Sequence, residues 1–403
     1  MVIQITKMKN FKRTLTLRNS IFLGLSSMIG AGLFINIAPA ATISSYSLLF
    51  GLLIASILAF SNASSSAQLA RLYPEAGGTY VYARKVLGSS SSLIAGTTFI
   101  VGKIISSIAI ALTFGHYLYP SSHKIAGIAL VFIIGAVSYF GASKTASVAK
   151  WFVYSVLGIL LFYIFSVVSS DNFNFVIPIT KGLTFESLLL SSSIWFFAFT
   201  GYSRLATFGE EVENPEKIIP KAILTGLGIT VSIYFLTTYV TLGIINPDII
   251  QNSLTPLKVA FDISRFSNFS FLISIASTIA TASVLLALIP GISRVVVAMS
   301  RDNYLPNSLS SIHSKYNSAY IADILVSIVV VVGILYFDVV EAIKLSSFFV
   351  LLYYSITNYS VIKIEESKRL YPVISAYFGL FGCLLLASSL FITGAPRLVF
   401  SAA

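Results

Sequence analysis

Ser26-Ser27-Met28-Ile29-Gly30-Ala31-Gly32-Leu33-Phe34 lies in the middle of the first long apolar segment and decides how the rest of the chain is read. Two closely spaced glycines weaken a helix at a depth where hydrocarbon offers no partner to an unpaired backbone group. A break survives there only when it is buried in protein or lines a polar cavity. Amide hydrogens freed at the start of the outer half-helix can then hold an anion such as a carboxylate. Far downstream, Phe196-Phe197-Ala198-Phe199-Thr200-Gly201-Tyr202-Ser203 interrupts another apolar segment in a similar way. Paired interruptions in two halves of a chain are the best sequence pointer to a transporter's binding site. The competing reading is that these glycines only allow close helix packing.

The composition fits this reading. Of 403 residues, 56% are hydrophobic and 10% charged, with a mean hydropathy of +0.89. Soluble domains carry about a quarter charged residues, so a soluble enzyme is excluded and an all-α multi-pass membrane protein is expected. The net charge of +11 sits mostly in short loops between apolar spans, which fits the positive-inside bias and not a nucleic-acid-binding face. The single cysteine, Cys383, rules out a disulfide framework. His116, His123 and His313 lack metal-ligand spacing, so neither a metal nor a cofactor is expected.

With about 20 apolar residues per crossing, eleven helices are predicted, over 17–40, 43–69, 92–119, 123–142, 148–169, 188–209, 219–245, 267–293, 318–337, 341–362 and 371–392. Placing the N-terminus in the cytoplasm puts most of the 26 basic residues on the inner side, from Lys7 and Arg13 to Lys363 and Arg369, as the charge rule requires. The apolar stretch after the basic arm Met1 to Arg18 is too long for a signal core and reads as the first transmembrane helix. A multi-pass protein of the cell membrane is expected. If the breaks near Gly30 and Gly201 correspond, the chain divides into an N-terminal arm (1–16), a first five-helix unit (17–169), a second (188–362), and a peripheral eleventh helix with a short tail (371–403).

Four motifs, in order and at helix ends, resemble the amino acid–polyamine–organocation superfamily of permeases. They are Ser27 to Phe34; Tyr73-Pro74-Glu75-Ala76-Gly77-Gly78-Thr79-Tyr80-Val81-Tyr82; Phe196 to Ser203 followed by Glu210-Glu211-Val212-Glu213-Asn214-Pro215 and Ile219-Pro220; and Ser293-Arg294 with Ser300-Arg301-Asp302-Asn303-Tyr304-Leu305-Pro306. The resemblance implies a five-plus-five inverted repeat with helices 1 and 6 broken, moving amino acids by alternating access. It implies that the substrate carboxylate meets the amides of Gly30, Ala31 and Gly32. The ammonium would meet carbonyls near Met28 and Ile29 and near Phe197, Ala198 and Thr200, beside Gly201. Opposed half-helix ends suit a zwitterion, offering donors at one end and acceptors at the other. Phe197, Phe199 and Tyr202 supply aromatic bulk for a gate, or are ordinary packing. Gly77-Gly78 gives a tight turn, and Pro215 and Pro220 fit a loop ending at a helix start. Glu210, Glu211 and Glu213 are candidates for a cytoplasmic gate; the plain alternative is a solvated acidic loop.

The chain departs from its relatives in two places. Many members carry a lysine on the fifth helix, where Val156 stands at about that position here, and common members have twelve or more helices against the eleven predicted here, which puts the C-terminus outside. Two basic residues fall inside predicted helices. Arg204, just past the second break, is expected to reach toward the cytoplasmic face. Lys103 sits near the middle of the third helix, where a charged residue is costly and is a functional candidate by default. It is either a coupling or substrate residue, trading a proton during transport, or a structural one bonding helix-end carbonyls. Ser277 and Thr278 offer hydroxyl oxygens for a possible sodium site. No Asp or Glu lies deep in a predicted helix, which disfavours cationic side chains and polyamines. A neutral amino acid is expected, with an anionic substrate at Lys103 as a lesser reading. No catalytic constellation is present, so the chain is not read as an enzyme. A non-transporting amino acid sensor on the same fold is the alternative.

Overall fold

A computed structural model describes residues 13, 15–75, 77–140, 145–176, 183–207, 212–316 and 318–392, without the side chains of 145–149 and 207. Every regular element among the described residues is a helix, apart from one isolated bridge between Leu15 and Val212. The first crossing is split into α1 (Leu17–Met28), α2 (Ala31–Ile35) and α3 (Ile37–Ser44). The second is α4 (Leu48–Leu72), followed by the short α5 (Thr79–Leu87). Three crossings follow, α6 (Ser89–Leu118), α7 (His123–Tyr139) and α8 (Thr145–Val168). The sixth is split into α9 (Phe185–Phe199) and α10 (Arg204–Thr207), and the seventh is α11 (Pro215–Ile244). Short α12 (Pro247–Ile250) and α13 (Pro256–Asp262) lead to α14 (Phe271–Arg301), α15 (Tyr320–Tyr336), α16 (Val339–Lys363) and α17 (Val373–Ile392).

Among the described residues nine helical stretches are long and apolar enough to cross a membrane, and Phe185–Phe199 and Tyr320–Tyr336 are shorter apolar helices. Together these account for the eleven segments expected. Local chemistry sets their starts. The Thr16 hydroxyl accepts from Asn19 N at 3.4 Å to begin α1. Thr184 and Ser187 cap α9 reciprocally, as Asp338 and Glu341 cap α16, each satisfying amides that have no partner inside the helix.

Packing explains which helix sits where. α4 buries a stripe of small residues, among them Ala55, Ala59, Ala63 and Ala67, and lies against α9 and α11. Small side chains let backbones approach when lipid supplies no drive of its own. α6 packs on α14 and α16, and α1 is enclosed by α8, α11 and α14. Outward faces are apolar, with Phe132 and Ile133 on α7 and Phe381 and Leu385 on α17 exposed, as hydrocarbon solvent requires.

Three local details differ from expectation. α14 extends to Arg301, beyond the expected end at 293, and α11 begins at Pro215 instead of the expected 219, so Pro220 lies inside it and not at its start. α5 is a helix after the expected turn, in which Gly77 and Gly78 take φ of 121° and 57°.

Candidate functional site

α1 ends at Met28, whose successor Ile29 turns out of the helix at φ −73°, ψ 86°, and Gly30 follows at φ −150°, ψ −146°. Ile29 N still donates to Leu25 O at 2.8 Å, while the outer half restarts with Leu33 N donating to Gly30 O at 3.2 Å. The first amides of that half-helix, at Gly30 to Gly32, point away from any partner within the helix. The second break is looser. Beyond Phe199 the chain runs through successive three-residue turns: Tyr202 N to Phe199 O at 3.4 Å, Arg204 N to Gly201 O at 3.1 Å, and Ala206 N to Ser203 O at 3.1 Å.

The two breaks press against each other. A Cβ on Gly201 would collide with the Ser27 carbonyl, and one on Gly32 with the Ala198 backbone. Only glycine permits this approach, so close packing and the breaks are one feature. Freed carbonyls are met by side chains from surrounding helices. The Tyr234 hydroxyl on α11 lies 2.6 Å from Met28 O and 3.1 Å from Ala198 O. Tyr117 on α6 donates to Phe34 O at 2.8 Å, and Asn36 Nδ2 donates to Ile194 O at 2.8 Å. Thr200 O accepts from Lys103 Nζ at 3.0 Å and from the Tyr354 hydroxyl at 3.2 Å. Buried polar groups need such partners, and at these two breaks Tyr117, Tyr234 and Tyr354 supply several of them.

One cavity opens between the breaks. Its wall takes Ser27, Met28, Gly30, Ala31 and Gly32 from the first break, and Phe197, Ala198, Thr200, Gly201, Ser203 and Arg204 from the second. Phe99, Lys103, Ser106 and Ile110 come from one stripe of α6, and Val284, Ala287 and Leu288 from α14. Of the residues singled out in the sequence, Met28, Gly30, Ala31, Gly32, Phe197, Ala198, Thr200, Gly201 and Lys103 therefore meet at one place. Ile29, Phe199 and Tyr202 are not part of the wall. Phe199 packs its ring 5.2 Å from Tyr234, and Tyr202 stacks 5.1 Å from Tyr354. Ser277 and Thr278 also lie off the wall; Ser277 is buried and Thr278 donates to Ile275 O at 2.9 Å.

Arg204 corrects an expectation. It does not reach out of the protein: it is 7% exposed, and its guanidinium packs over Gly291 of α14. Tyr234 and Tyr354 were also missed, because their targets are main-chain oxygens that residue type does not reveal. The stripe Phe99, Lys103, Ser106, Ile110 was legible in principle, its members being three or four residues apart on one helix face.

At the end of the bundle carrying α5, Asp302 accepts from the Tyr80 hydroxyl and pairs with Arg84. The Arg84 guanidinium lies 5.8 Å from the Tyr80 ring centre. Burial and the Asp302 contact push the Tyr80 phenol above its ordinary range. Lys85 pairs with Glu75 on the same helix's approach. Of the acidic gate candidates, Glu213 donates its backbone N–H to Leu15 O at 3.0 Å; Glu210 and Glu211 lie outside the described residues.

Discontinuous helices around a shared cavity in an all-helical bundle define a class of membrane transport protein. The amino acid permease family model matches residues 19–399, and the chain belongs to that family. It is 37% identical over 390 residues to an uncharacterized transporter of Mycobacterium tuberculosis, covering 94% of this chain and 86% of the relative. A branched-chain amino acid permease of Bacillus subtilis is 24% identical, over 78% of this chain and 72% of its own. A vacuolar cationic amino acid transporter of Arabidopsis thaliana is 28% identical, over 75% and 52%. The chain is thus a multi-pass membrane transporter of the amino acid permease family, and not an enzyme.

Proposed function

We propose that the chain carries amino acids across the cell membrane by alternating access around the cavity between the two breaks, with its N-terminus in the cytoplasm. In this reading the substrate carboxylate meets the amides of Gly30, Ala31 and Gly32, at the positive end of a half-helix. Its ammonium meets the carbonyls of Met28 and Ala198. The Tyr234 hydroxyl carries one hydrogen for those two oxygens, so the pair keeps acceptor capacity for a ligand. The single observation that carries the proposal is that both breaks face one cavity and share Tyr234 as a brace.

The units 17–169 and 188–362 are the two five-helix repeats, interleaved so that each contributes one broken helix to the cavity, with α17 at the periphery. Contacts of α5 with Asp302, together with Glu213 and the neighbouring Glu210 and Glu211, form the inner gate. Lys103, in the cavity wall, is where a proton would be gained or lost during the cycle. The lack of a carboxylate among the described wall residues argues against cationic side chains. Uptake of labelled amino acids by vesicles holding the purified chain, with and without an imposed proton or sodium gradient, tests both transport and its coupling.

A further inference from the structure

We propose that the site selects amino acids whose side chain is itself an anion, with the Lys103 ammonium as counter-charge; this rests on the transport reading above. The wall carries two cationic side chains, Lys103 and Arg204, only 4% and 7% exposed. Among the described residues it carries no carboxylate.

The hydrogen-bond groups can be matched one by one. Thr200 O accepts from Lys103 Nζ, Tyr354 and, at 3.4 Å, Ser203 Oγ, so its two lone pairs are taken. Phe197 O accepts from Thr200 Oγ1 at 3.0 Å and Thr200 N at 3.3 Å. Neither oxygen is open to a substrate ammonium. The Met28 and Ala198 carbonyls remain, sharing one hydroxyl hydrogen, and they suffice for one ammonium. The amides of Gly30 to Gly32 suffice for one carboxylate. An ammonium has three N–H donors, and Thr200 O uses one of those on Lys103. The rest of that amine's bonding capacity is left beside the cavity, in a side chain only 4% exposed.

A zwitterion with a neutral side chain brings no counter-charge to the Lys103 amine, so it gains nothing from that group beyond a neutral contact. A cationic side chain adds a like charge next to it. A carboxylate side chain supplies the missing partner and forms a charge-assisted bond. Phe99, Ile110, Val284 and Leu288 give the same cavity an apolar flank, and a lower local dielectric strengthens that pairing.

The test uses isosteric pairs. Full-length protein in proteoliposomes is given labelled glutamate against glutamine, and aspartate against asparagine, as wild type, Lys103→Met and Lys103→Arg. The expected result is at least a ten-fold preference for the acidic member in wild type, lost in Lys103→Met and retained in Lys103→Arg. A wild type that favours glutamine and asparagine overturns the inference while leaving transport intact. So does an equal loss of both members of each pair in Lys103→Met, which would assign the cation to the α-carboxylate or to the fold. Uptake of no amino acid overturns the transport reading and this inference with it. Should Lys103→Met fail to fold, wild type alone decides: glutamate must raise the unfolding temperature in detergent and glutamine must not.

Discussion

The Tyr234 hydroxyl lies 2.6 Å from the carbonyl oxygen of Met28, the last residue before the first helix breaks. The same hydroxyl is 3.1 Å from Ala198 O, one residue before the end of α9. One side chain from a third helix therefore braces both ends that the cavity needs. Tyr234→Phe keeps the ring and removes the hydroxyl, leaving two buried carbonyls short of a donor. The expected loss is about 1–3 kcal/mol of stability, read as a lower unfolding temperature in detergent. Uptake falls as well, because the oxygens that hold the ammonium are no longer fixed.

Gly201 and Gly228 separate a glycine that the fold needs from one it tolerates. Gly201→Ala drives a Cβ into the Ser27 backbone, which has no flexible end to yield, whereas nothing lies within 4 Å of a Cβ at Gly228. Gly201→Ala should cost about 1–3 kcal/mol or more through overpacking and abolish uptake. Gly228→Ala, inside α11, should be neutral or stabilising by about 0.5–1 kcal/mol. Parallel melting curves and uptake rates check the pair.

Asp302 ties α5 to the end of α14 through Tyr80 and Arg84. Asp302→Asn weakens a charged acceptor and is expected to cost about 1–2 kcal/mol. As a gate contact it should alter the rate of transport more than the affinity for substrate. The pH sign follows from Tyr80, whose phenol is pushed above its usual 10.0 by burial and by Asp302. Its contribution is complete below that usual value and is lost as pH rises through the higher folded value. Thermal unfolding from pH 7 to pH 11 should show an alkaline loss that Tyr80→Phe reduces by Tyr80's share.

The proposed orientation is testable through the single cysteine. Cys383 is buried and in contact with Asn62 at 3.2 Å, so native protein should not react with a membrane-impermeant maleimide. On that silent background Ser121→Cys should label from outside intact cells, and Ser314→Cys only after the membrane is opened. The reverse pattern would invert the proposed topology.

Much of the fold was legible because bilayer thickness dictates segment length. The third helix, expected over 92–119, is Ser89–Leu118, and the eleventh, expected over 371–392, is Val373–Ile392. Errors fall where helices leave hydrocarbon. Arg294 ends the apolar run, yet α14 continues past it to Arg301 because backbone bonding does not stop with hydropathy. α5 was hidden by its length and by the glycines around it, Gly78 and Gly88. At the site, the glycines announced the breaks, but the partners did not announce themselves. A tyrosine in an apolar helix looks like any aromatic, and only coordinates show that Tyr234 and Tyr354 serve main-chain oxygens. Arg204 was misread because a cation near a helix end ordinarily snorkels, whereas here α14 offers Gly291 as a seat for its guanidinium.

The most direct measurement is accumulation of a labelled amino acid inside sealed proteoliposomes preloaded with the same unlabelled amino acid. The account predicts uptake far beyond one substrate per protein, driven by exchange across the membrane and absent from empty vesicles. Binding that stops at one substrate per protein, with nothing recovered from the lumen, would contradict it and make the chain a receptor built on a transporter's fold.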